Sequence, residues 1–258
     1  MSRVMAVANQ KGGVGKTTTA VNLSACLADA GRRVLVIDID PQGNTTTGLG
    51  IDKRRLRHSI YDCLIDDAPL RSVSISTAIR GLSLVPATVD LAGAEIEMVP
   101  MLAREMKLKK SLAPVRESYD YIIVDCPPSL GLLTVNSLAA ADSVLVPIQC
   151  EYYALEGLGQ LLTTIKLVQS HFNPELRIEG VVLTMYDART NLSIQVVEEV
   201  KKFFRDKVYR TVIPRNVRLS EAPSHGKPVI LYDAKSKGAE VYRELSREVM
   251  AHAEKRAG

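Results

Sequence analysis

The chain has 258 residues, and 46% of them are hydrophobic, which is enough to bury the core of one large α/β domain spanning residues 1–258. Its net charge of +4 is too small to indicate a nucleic-acid binder by itself. The cysteines (Cys26, Cys63, Cys126 and Cys150) form no C-x-x-C pair, which argues against a zinc knuckle or a disulfide framework. No stretch resembles a signal peptide or a membrane span, so we expect a cytoplasmic protein that does not attach to membranes.

The amino-terminal segment combines an apolar run at residues 4–8, a glycine-rich loop and a helical pattern of apolar residues at 19–30. The loop glycines let backbone N–H groups turn inward around a phosphate, and the helix N-terminus adds its positive dipole. Lys16 supplies a charge for the β- and γ-phosphates, and the Thr17 hydroxyl is a suitable ligand for Mg²⁺. The segment therefore predicts a P-loop for a nucleoside triphosphate, with the contacts Lys11, Gly12, Gly13, Val14, Gly15, Lys16, Thr17 and Thr18.

This loop departs from the usual pattern G-x-x-x-x-G-K-[ST] at its first position. Gln10 stands where glycine is usual, and a second lysine, Lys11, follows it. The sequence thus predicts a variant P-loop, in which a single chain gives Lys11 no evident task.

Two later apolar runs end in carboxylates, as strands of an open α/β sheet do at a ligand site. Residues 33–38 end in Asp38, with Asp40 two residues on, and residues 121–125 end in Asp125 before Cys126-Pro127-Pro128. We expect Asp125 to hold the Mg²⁺ shell as a Walker B residue and Asp38 to contribute through water. Asp40 is positioned to orient or deprotonate the attacking water, although either aspartate of the first pair could instead cap a turn.

Strand and helix patterns alternate along the rest of the chain, which predicts a doubly wound, mainly parallel sheet with helices on both faces. The predicted strands are residues 82–86, 143–148, 178–185 and 209–213, with an edge strand at 73–76, and the predicted helices are residues 95–116, 153–171, 192–204 and 238–254.

Positive charge is concentrated in the carboxyl-terminal third. Residues 189–227 hold nine basic and four acidic side chains, a local excess of five. Such an excess suits sequence-independent contact with phosphates, and an ordinary charged helix face is the alternative.

Together, K-G-G-V-G-K-T-T at 11–18, the Asp38/Asp40 pair and V-D-C-P-P at 124–128 resemble the deviant Walker A ATPases. Within that family the chain is most similar to the ParA/Soj chromosome-partitioning branch, and the similarity extends to D-A-R-T-N at 187–191 and to residues 213–226.

The resemblance implies roles for individual residues. Lys11 would reach the partner subunit's nucleotide in an ATP-bound homodimer, and Gly12 would lie where the two loops face each other. Asp40 would activate water, and Asp125 would be the Walker B residue. The remaining implied contacts are Pro214 and Asn216 to adenine, and Arg189 and Arg218 to DNA phosphates.

The resemblance also implies a cycle. ATP and Mg²⁺ would join two subunits, and the dimer would bind nonspecific double-stranded DNA of the nucleoid. Intrinsic hydrolysis would be slow, and the centromere-binding protein ParB/Spo0J would accelerate it through a basic N-terminal tail. The cycle would separate chromosomes or plasmids.

Three alternatives remain open on sequence. A MinD-like membrane-cycling ATPase shares the nucleotide residues but needs a C-terminal amphipathic anchor, which we do not find in residues 251–258. An iron–sulfur protein of the nitrogenase iron-protein type needs cysteines that bridge a cluster between subunits. A DNA-binding module with vestigial nucleotide binding would show no turnover.

Overall fold

The fold is an α/β structure in a computed structural model that describes residues 2–151 and 158–255. Seven strands form one sheet in the order β3-β4-β2-β5-β1-β6-β7. They are β1 (Arg3–Val7), β2 (Val34–Asp38), β3 (Ile75–Ser76), β4 (Leu82–Val85), β5 (Tyr121–Asp125), β6 (Ser143–Gln149) and β7 (Arg177–Thr184). Every pair is parallel except β3 with β4, so the predicted doubly wound sheet and its edge strand are confirmed.

Helices connect these strands and cover the sheet. They are α1 (Lys16–Asp29), α2 (Asn44–Gly48), α3 (Ile60–Ile65), α4 (Leu70–Val73), α5 (Leu91–Glu97), α6 (Lys107–Leu112), α7 (Leu132–Ala140), α8 (Leu158–His171), α9 (Asn191–Phe204), α10 (Val217–Glu221), α11 (Val229–Tyr232) and α12 (Lys237–Lys255). Short 3₁₀ turns lie at Lys53–Arg55, Arg104–Met106, Arg116–Ser118, Arg205–Lys207 and Ala222–His225. The predicted helix at 153–171 is helical from residue 158, and residues 153–157 lie outside the described residues.

The sheet separates two hydrophobic cores. Alternate residues of β1 point to opposite sides, so Ala6 joins the core with α3, α7 and α8, whereas Met5 and Val7 join the core with α1 and α12. Strands covered on both faces are expected to be apolar throughout, and β2 and β5 are fully buried.

The register of the central strands brings the carboxyl ends together. β1 lies between β5 and β6, where the strand order reverses, and such a point is the usual ligand site of an open α/β sheet. Asp38 is directly opposite Asp125 in the ladder, and Asp125 is also opposite Val7, the last residue before the loop.

The first helix is more deeply buried than its pattern indicates. We predicted an amphipathic segment, but α1 is buried from Thr19 to Ala28. The sheet covers one side and α12 covers the other, where the Thr19 and Tyr242 hydroxyls are 3.3 Å apart.

The single helix predicted at 95–116 was wrong. α5 ends at Glu97, and a 3₁₀ turn and α6 follow within the same span. Pro100 interrupts the backbone hydrogen bonding and disfavours helical dihedrals at the preceding residue, and Ala103 has a φ of +51°.

The strand predicted at 209–213 was also wrong. The Tyr209 and Ile213 N–H groups donate to β7 carbonyls at 2.9 and 2.8 Å, but the two residues after Tyr209 leave the ladder. The N–H groups of Arg210 and Thr211 instead donate to the carboxylate of Glu248 on α12, at 2.8 and 3.0 Å. The Glu248 carboxylate therefore accepts the two N–H groups that a strand would donate to its neighbour in the sheet.

None of the helices in the described part of the chain is long and apolar enough to span a bilayer.

Gly180 of β7 provides a test of packing. A Cβ there would lie 2.5 Å from the ring of Tyr209, which is 1% exposed, and 3.0 Å from the carbonyl of Lys207. We expect Gly180→Ala to lower the free energy of unfolding by about 1–3 kcal/mol in urea denaturation, as overpacking does. Gly159→Ala, where a Cβ meets nothing within 4 Å, is the matched control and should leave stability within about 1 kcal/mol. Equal stability of the two variants would contradict this account of the packing.

Candidate nucleotide site

The loop between β1 and α1 has the backbone of a phosphate cradle. Gly13 and Gly15 have φ angles of +75° and +87°, which glycine adopts without strain. Lys16 begins α1, is 6% exposed, and donates from Nζ to the carbonyl of Lys11 at 2.9 Å. Burial lowers the pKa of Lys16, and the nearby carboxylate of Asp125 opposes that shift. The ammonium therefore lies over its own loop, close to negative charge.

Two polar residues that we did not predict hold this loop in place. Asn9 donates from Nδ2 to the carbonyl of Pro147 at 2.7 Å and accepts from the N–H of Lys11 at 3.0 Å. Thr184, the last residue of β7, donates to the carbonyl of Val14 at 2.9 Å. Both lie at strand ends, which is the only signal that the sequence gives of them.

Two features of the loop have no use within one chain. A Cβ on Gly12 would meet nothing within 4 Å, and the φ of Gly12 lies outside the region that favours glycine. Among residues 2–151 and 158–255, the Lys11 ammonium has neither an ion-pair nor a hydrogen-bond partner. The fold of a single subunit thus requires neither the glycine at 12 nor the charge at 11.

The carboxylate of Asp125 is the polar centre of the site. Its Oδ2 accepts from the hydroxyls of Thr17 and Thr45, each at 2.8 Å. Its Oδ1 is buried and has no hydrogen-bond partner among the described residues. Burial raises the pKa of Asp125, and repulsion from Asp38 raises it further.

Asp38 lies beside it and is fully buried. Its Oδ2 accepts from the N–H and the hydroxyl of Thr46, at 2.8 and 2.7 Å, and burial raises its pKa while these hydrogen bonds oppose the shift. We missed Thr45 and Thr46; their position directly after the Asp38-to-Asn44 loop was the available signal.

These residues fit a magnesium ion. Mg²⁺ prefers oxygen ligands, and the site offers the unpartnered Oδ1 of Asp125 and the Thr17 hydroxyl. A divalent cation would also favour the ionised forms of two carboxylates whose pKa values burial raises. Asp38 is already engaged by Thr46, so its contact to the metal through water stays a prediction.

Asp40 lies on the short loop between β2 and α2, and Lys53 holds this loop by a hydrogen bond. Its Oδ1 accepts from the N–H of Gln42 at 2.9 Å, and Lys53 donates from Nζ to the carbonyl of the same Gln42 at 2.5 Å. A Cβ on Gly43, whose φ is +61°, would lie 2.6 Å from the Lys53 side chain. The contact of Lys53 with this loop is a finding of the structure.

Pro214 and Asn216 lie on the segment after residue 213. Pro214 pairs with Tyr186, two residues beyond Thr184, so it is at the same sheet edge as the loop. Asn216 accepts from the N–H of Arg218 at 2.9 Å and caps α10. The described contacts of both residues are thus within the carboxyl-terminal third, and their contact with adenine stays a prediction.

The same pairing joins the two segments that lead to the predicted DNA-binding arginines, Arg189 before α9 and Arg218 on α10, and both arginines make ion pairs. Arg189 is 2.6 Å from Asp187, and Arg218 is 2.9 Å from Glu221 and 3.2 Å from Asp233. The arginine holds the pKa of Asp187 well below its usual range. Phosphates would therefore have to compete with these carboxylates.

All four cysteines are buried, with at most 2% exposure. Burial raises the pKa of each thiol to about 12. Thiols that lie inside the subunit and stay protonated do not suit a cluster shared between subunits.

A small cavity of about 230 Å³ adjoins the loop. It is lined by Thr17, Thr18, Val21, Asn22, Asn44, Thr47, Gly48, Ala222, Pro223 and Lys227. It lies between the start of α1, the helix α2 and the turn at Ala222–His225.

Comparisons with known proteins identify the family of this chain. A family model described as an AAA domain matches residues 2–178. The sporulation initiation inhibitor protein Soj of Bacillus subtilis is 65% identical over 252 residues, which cover 98% of this chain and all of that protein. The chromosome partitioning protein ParA of Myxococcus xanthus is 57% identical and covers 97% of this chain, with 88% of its own length matched.

The chain belongs to the ParA/Soj family of chromosome-partitioning ATPases. The resemblance that the motifs indicate is therefore confirmed, and with it the P-loop ATPase class.

Solved structures place the ParA/Soj chain among nucleotide-binding folds. A protein from Mycobacterium smegmatis named cobyrinic acid a,c-diamide synthase, with bound ADP and magnesium, has a TM-score of 0.87 and 42% identity, covering 98% of this chain and 96% of that one. The septum site-determining protein MinD of Pyrococcus horikoshii, complexed with Mg-ADP, has a TM-score of 0.80 and only 28% identity, with 96% of each chain covered. The MinD-like alternative is thus the more distant relationship.

Proposed function

We propose that this chain is an ATPase that dimerises on binding ATP, holds nonspecific double-stranded DNA as a dimer, and partitions chromosomes or plasmids. The observation that carries the proposal is the convergence of Lys16, Thr17, Asp125 and Asp40 at the switch point of the sheet, in a chain 65% identical to Soj. The whole of residues 1–258 acts as one domain in this proposal.

The nucleotide would occupy the cradle formed by residues 11–18. Backbone N–H groups and Lys16 would hold the phosphates, and Pro214 and Asn216 would contact adenine. Thr17 and Asp125 would hold Mg²⁺, with Asp38 contributing through water; when bound, the ion neutralises charge that develops on the phosphate oxygens.

Asp40 would orient and deprotonate the attacking water. Its carboxylate is 6% exposed and is fixed by the Gln42 N–H, so it is held in one position near the loop. A positioned base of this kind contributes a rate factor of about 10²–10⁴. With no arginine in this group, we expect slow intrinsic turnover.

Dimerisation would explain Lys11 and Gly12, the two residues of the loop that have no role within one subunit. Lys11 would reach the partner subunit's nucleotide, and Gly12 would allow the two loops to approach. Joining two subunits would also join two sets of basic loops, and each neutralised phosphate adds to a salt-sensitive affinity for DNA.

In the cell, the dimer would associate with the nucleoid in the cytoplasm, without membrane attachment. ParB/Spo0J would accelerate hydrolysis through its basic N-terminal tail and so release the DNA. Partitioning would follow from repeated cycles of binding and release.

Asp40 is tested by the variant Asp40→Ala. We expect ATP binding and ATP-dependent dimerisation to persist while hydrolysis falls by about 10²–10⁴, measured as phosphate release. Asp66→Ala, at an exposed aspartate that ends α3, should keep normal turnover. Unchanged turnover in Asp40→Ala would remove Asp40 from the mechanism, and a wild-type protein without turnover would overturn the ATPase assignment.

Gly12 is tested by the variant Gly12→Val. A Cβ at this position meets nothing within 4 Å, so we expect folding and ATP affinity to be retained while sedimentation with saturating ATP shows only monomer. Ala30→Val adds apolar bulk at the other end of α1, at an exposed position, and should dimerise normally. A Gly12→Val dimer would show that the two loops do not meet.

The DNA surface is tested by Arg189→Ala combined with Arg218→Ala. Nonspecific DNA binding in ATP should fall strongly, and the slope of log affinity against log salt should drop by about 0.9 for each phosphate that the variant no longer neutralises. Dimerisation should be unaffected. Arg54→Ala with Arg55→Ala removes two exposed arginines that also pair with a carboxylate, that of Asp52, and should retain DNA binding. Equal weakening of DNA binding in the two double variants would place the DNA surface elsewhere.

A further inference from the structure

The helical segment that contains α5 is apolar on both sides although it lies at the surface. Leu91, Ala94 and Met98 face the core and are fully buried. On the opposite side an apolar stripe consists of Val89, Ala92, Ile96 and Val99, of which Val89 and Ile96 are each 75% exposed. A helix that buries one face is expected to be polar on the other, and a contiguous apolar patch on a soluble domain is typical of a docking surface.

A cavity of about 560 Å³ adjoins the stripe. Val89, Asp90, Gly93 and Glu97 line it from the α5 side, and residues 56–59, 61 and 62 line it from the start of α3. Its lining carries the carboxylates of Asp62, Asp90 and Glu97 against one guanidinium, that of Arg57, a net charge of −2 with histidine neutral. The surface therefore offers apolar contact beside an acidic cavity.

Hydrogen bonds connect this segment to Thr46 of the nucleotide site and to the start of α7. At its start, the N–H of Ala87 donates to the Thr46 hydroxyl at 3.0 Å, and that hydroxyl donates to Asp38. Within α5, Glu95 accepts from the N–H of Leu133 at 3.3 Å, at the beginning of α7, the helix that follows the loop after Asp125. The segment that carries the stripe is thus linked to Asp38 through the Thr46 hydroxyl and to the start of α7 through Glu95.

We propose that the apolar stripe and the acidic cavity are the docking surface for a basic amphipathic segment of the partner that stimulates hydrolysis. The segment's apolar face packs on Val89 and Ile96, and its lysine or arginine side chains enter the cavity toward Asp90 and Glu97. This inference rests on the proposed function, because it assigns the site at which the basic partner acts. The choice of a basic occupant follows from the charge of the cavity.

The first experiment measures binding of a fluorescent synthetic peptide, the basic N-terminal tail of the partner, by anisotropy in ATP and Mg²⁺. Val89→Ser with Ile96→Ser should weaken peptide binding and the half-maximal stimulation of hydrolysis by about tenfold or more, while basal turnover, dimerisation and DNA binding stay at wild-type values. The matched control is Leu167→Ser with Leu231→Ser, two leucines that are 55% and 47% exposed on α8 and α11.

The second experiment reverses charge. Asp90→Lys with Glu97→Lys should lose the response to the basic peptide and bind a peptide in which every lysine and arginine is replaced by glutamate. Recovery of binding by paired reversal requires direct contact, which a merely structural role for the two carboxylates does not predict.

The outcomes separate the two proposals. Wild-type affinity of either double variant for the basic peptide, or monomeric sedimentation of the stripe variant in ATP, would overturn the docking assignment, the latter because the stripe would then join two copies of the chain. A wild-type protein that binds the peptide but hydrolyses no ATP would overturn the proposed function and leave the docking surface standing.

Discussion

The structure of the nucleotide site depends on two carboxylates that lie side by side inside the protein. Parallel pairing of β2 with β5 sets Asp38 opposite Asp125, and both are fully buried. Burial and repulsion make two negative charges costly there, so threonine hydroxyls from three positions surround them. The start of α1 and the segment after β4 meet this pair through the hydroxyls of Thr17 and Thr46, and the N–H of Asp40 donates to Asp38 Oδ1 at 3.3 Å. A divalent cation bound there would compensate this charge.

A second feature is that the phosphate loop is more elaborate than one subunit requires. The anchoring of Asn9 and Thr184 and the folded-back Lys16 account for the shape of the loop. They leave the bare backbone at Gly12 and the charge of Lys11 unexplained by contacts within the described residues. Residues that the fold does not use point to an interaction outside the chain, which is why we connect them with dimerisation.

The sequence was informative where a local pattern has one structural meaning. Apolar runs ending in aspartate predicted β2 and β5, and the glycine loop predicted the start of α1. It was uninformative where a distant side chain decides: nothing near residue 210 shows that Glu248 will take two N–H groups, and nothing near Lys53 shows that it will hold Gln42. The threonines at 45 and 46 were missed because hydroxyl residues are common after turns, and only the strand register reveals which of them face a carboxylate.

The carboxyl-terminal helix contacts two regions that are far apart in the sequence. Along α12, Tyr242 meets Thr19 in the first turn of α1, and less than two helical turns later Glu248 holds the backbone of Arg210 and Thr211. That backbone leads within a few residues to Pro214 and then to α10, which carries Arg218. The helix α12 thus contacts both α1, which begins at the phosphate cradle, and the segment that leads to Pro214 and Arg218. The spacing of Tyr242 and Glu248 along α12 therefore sets the distance between those two regions.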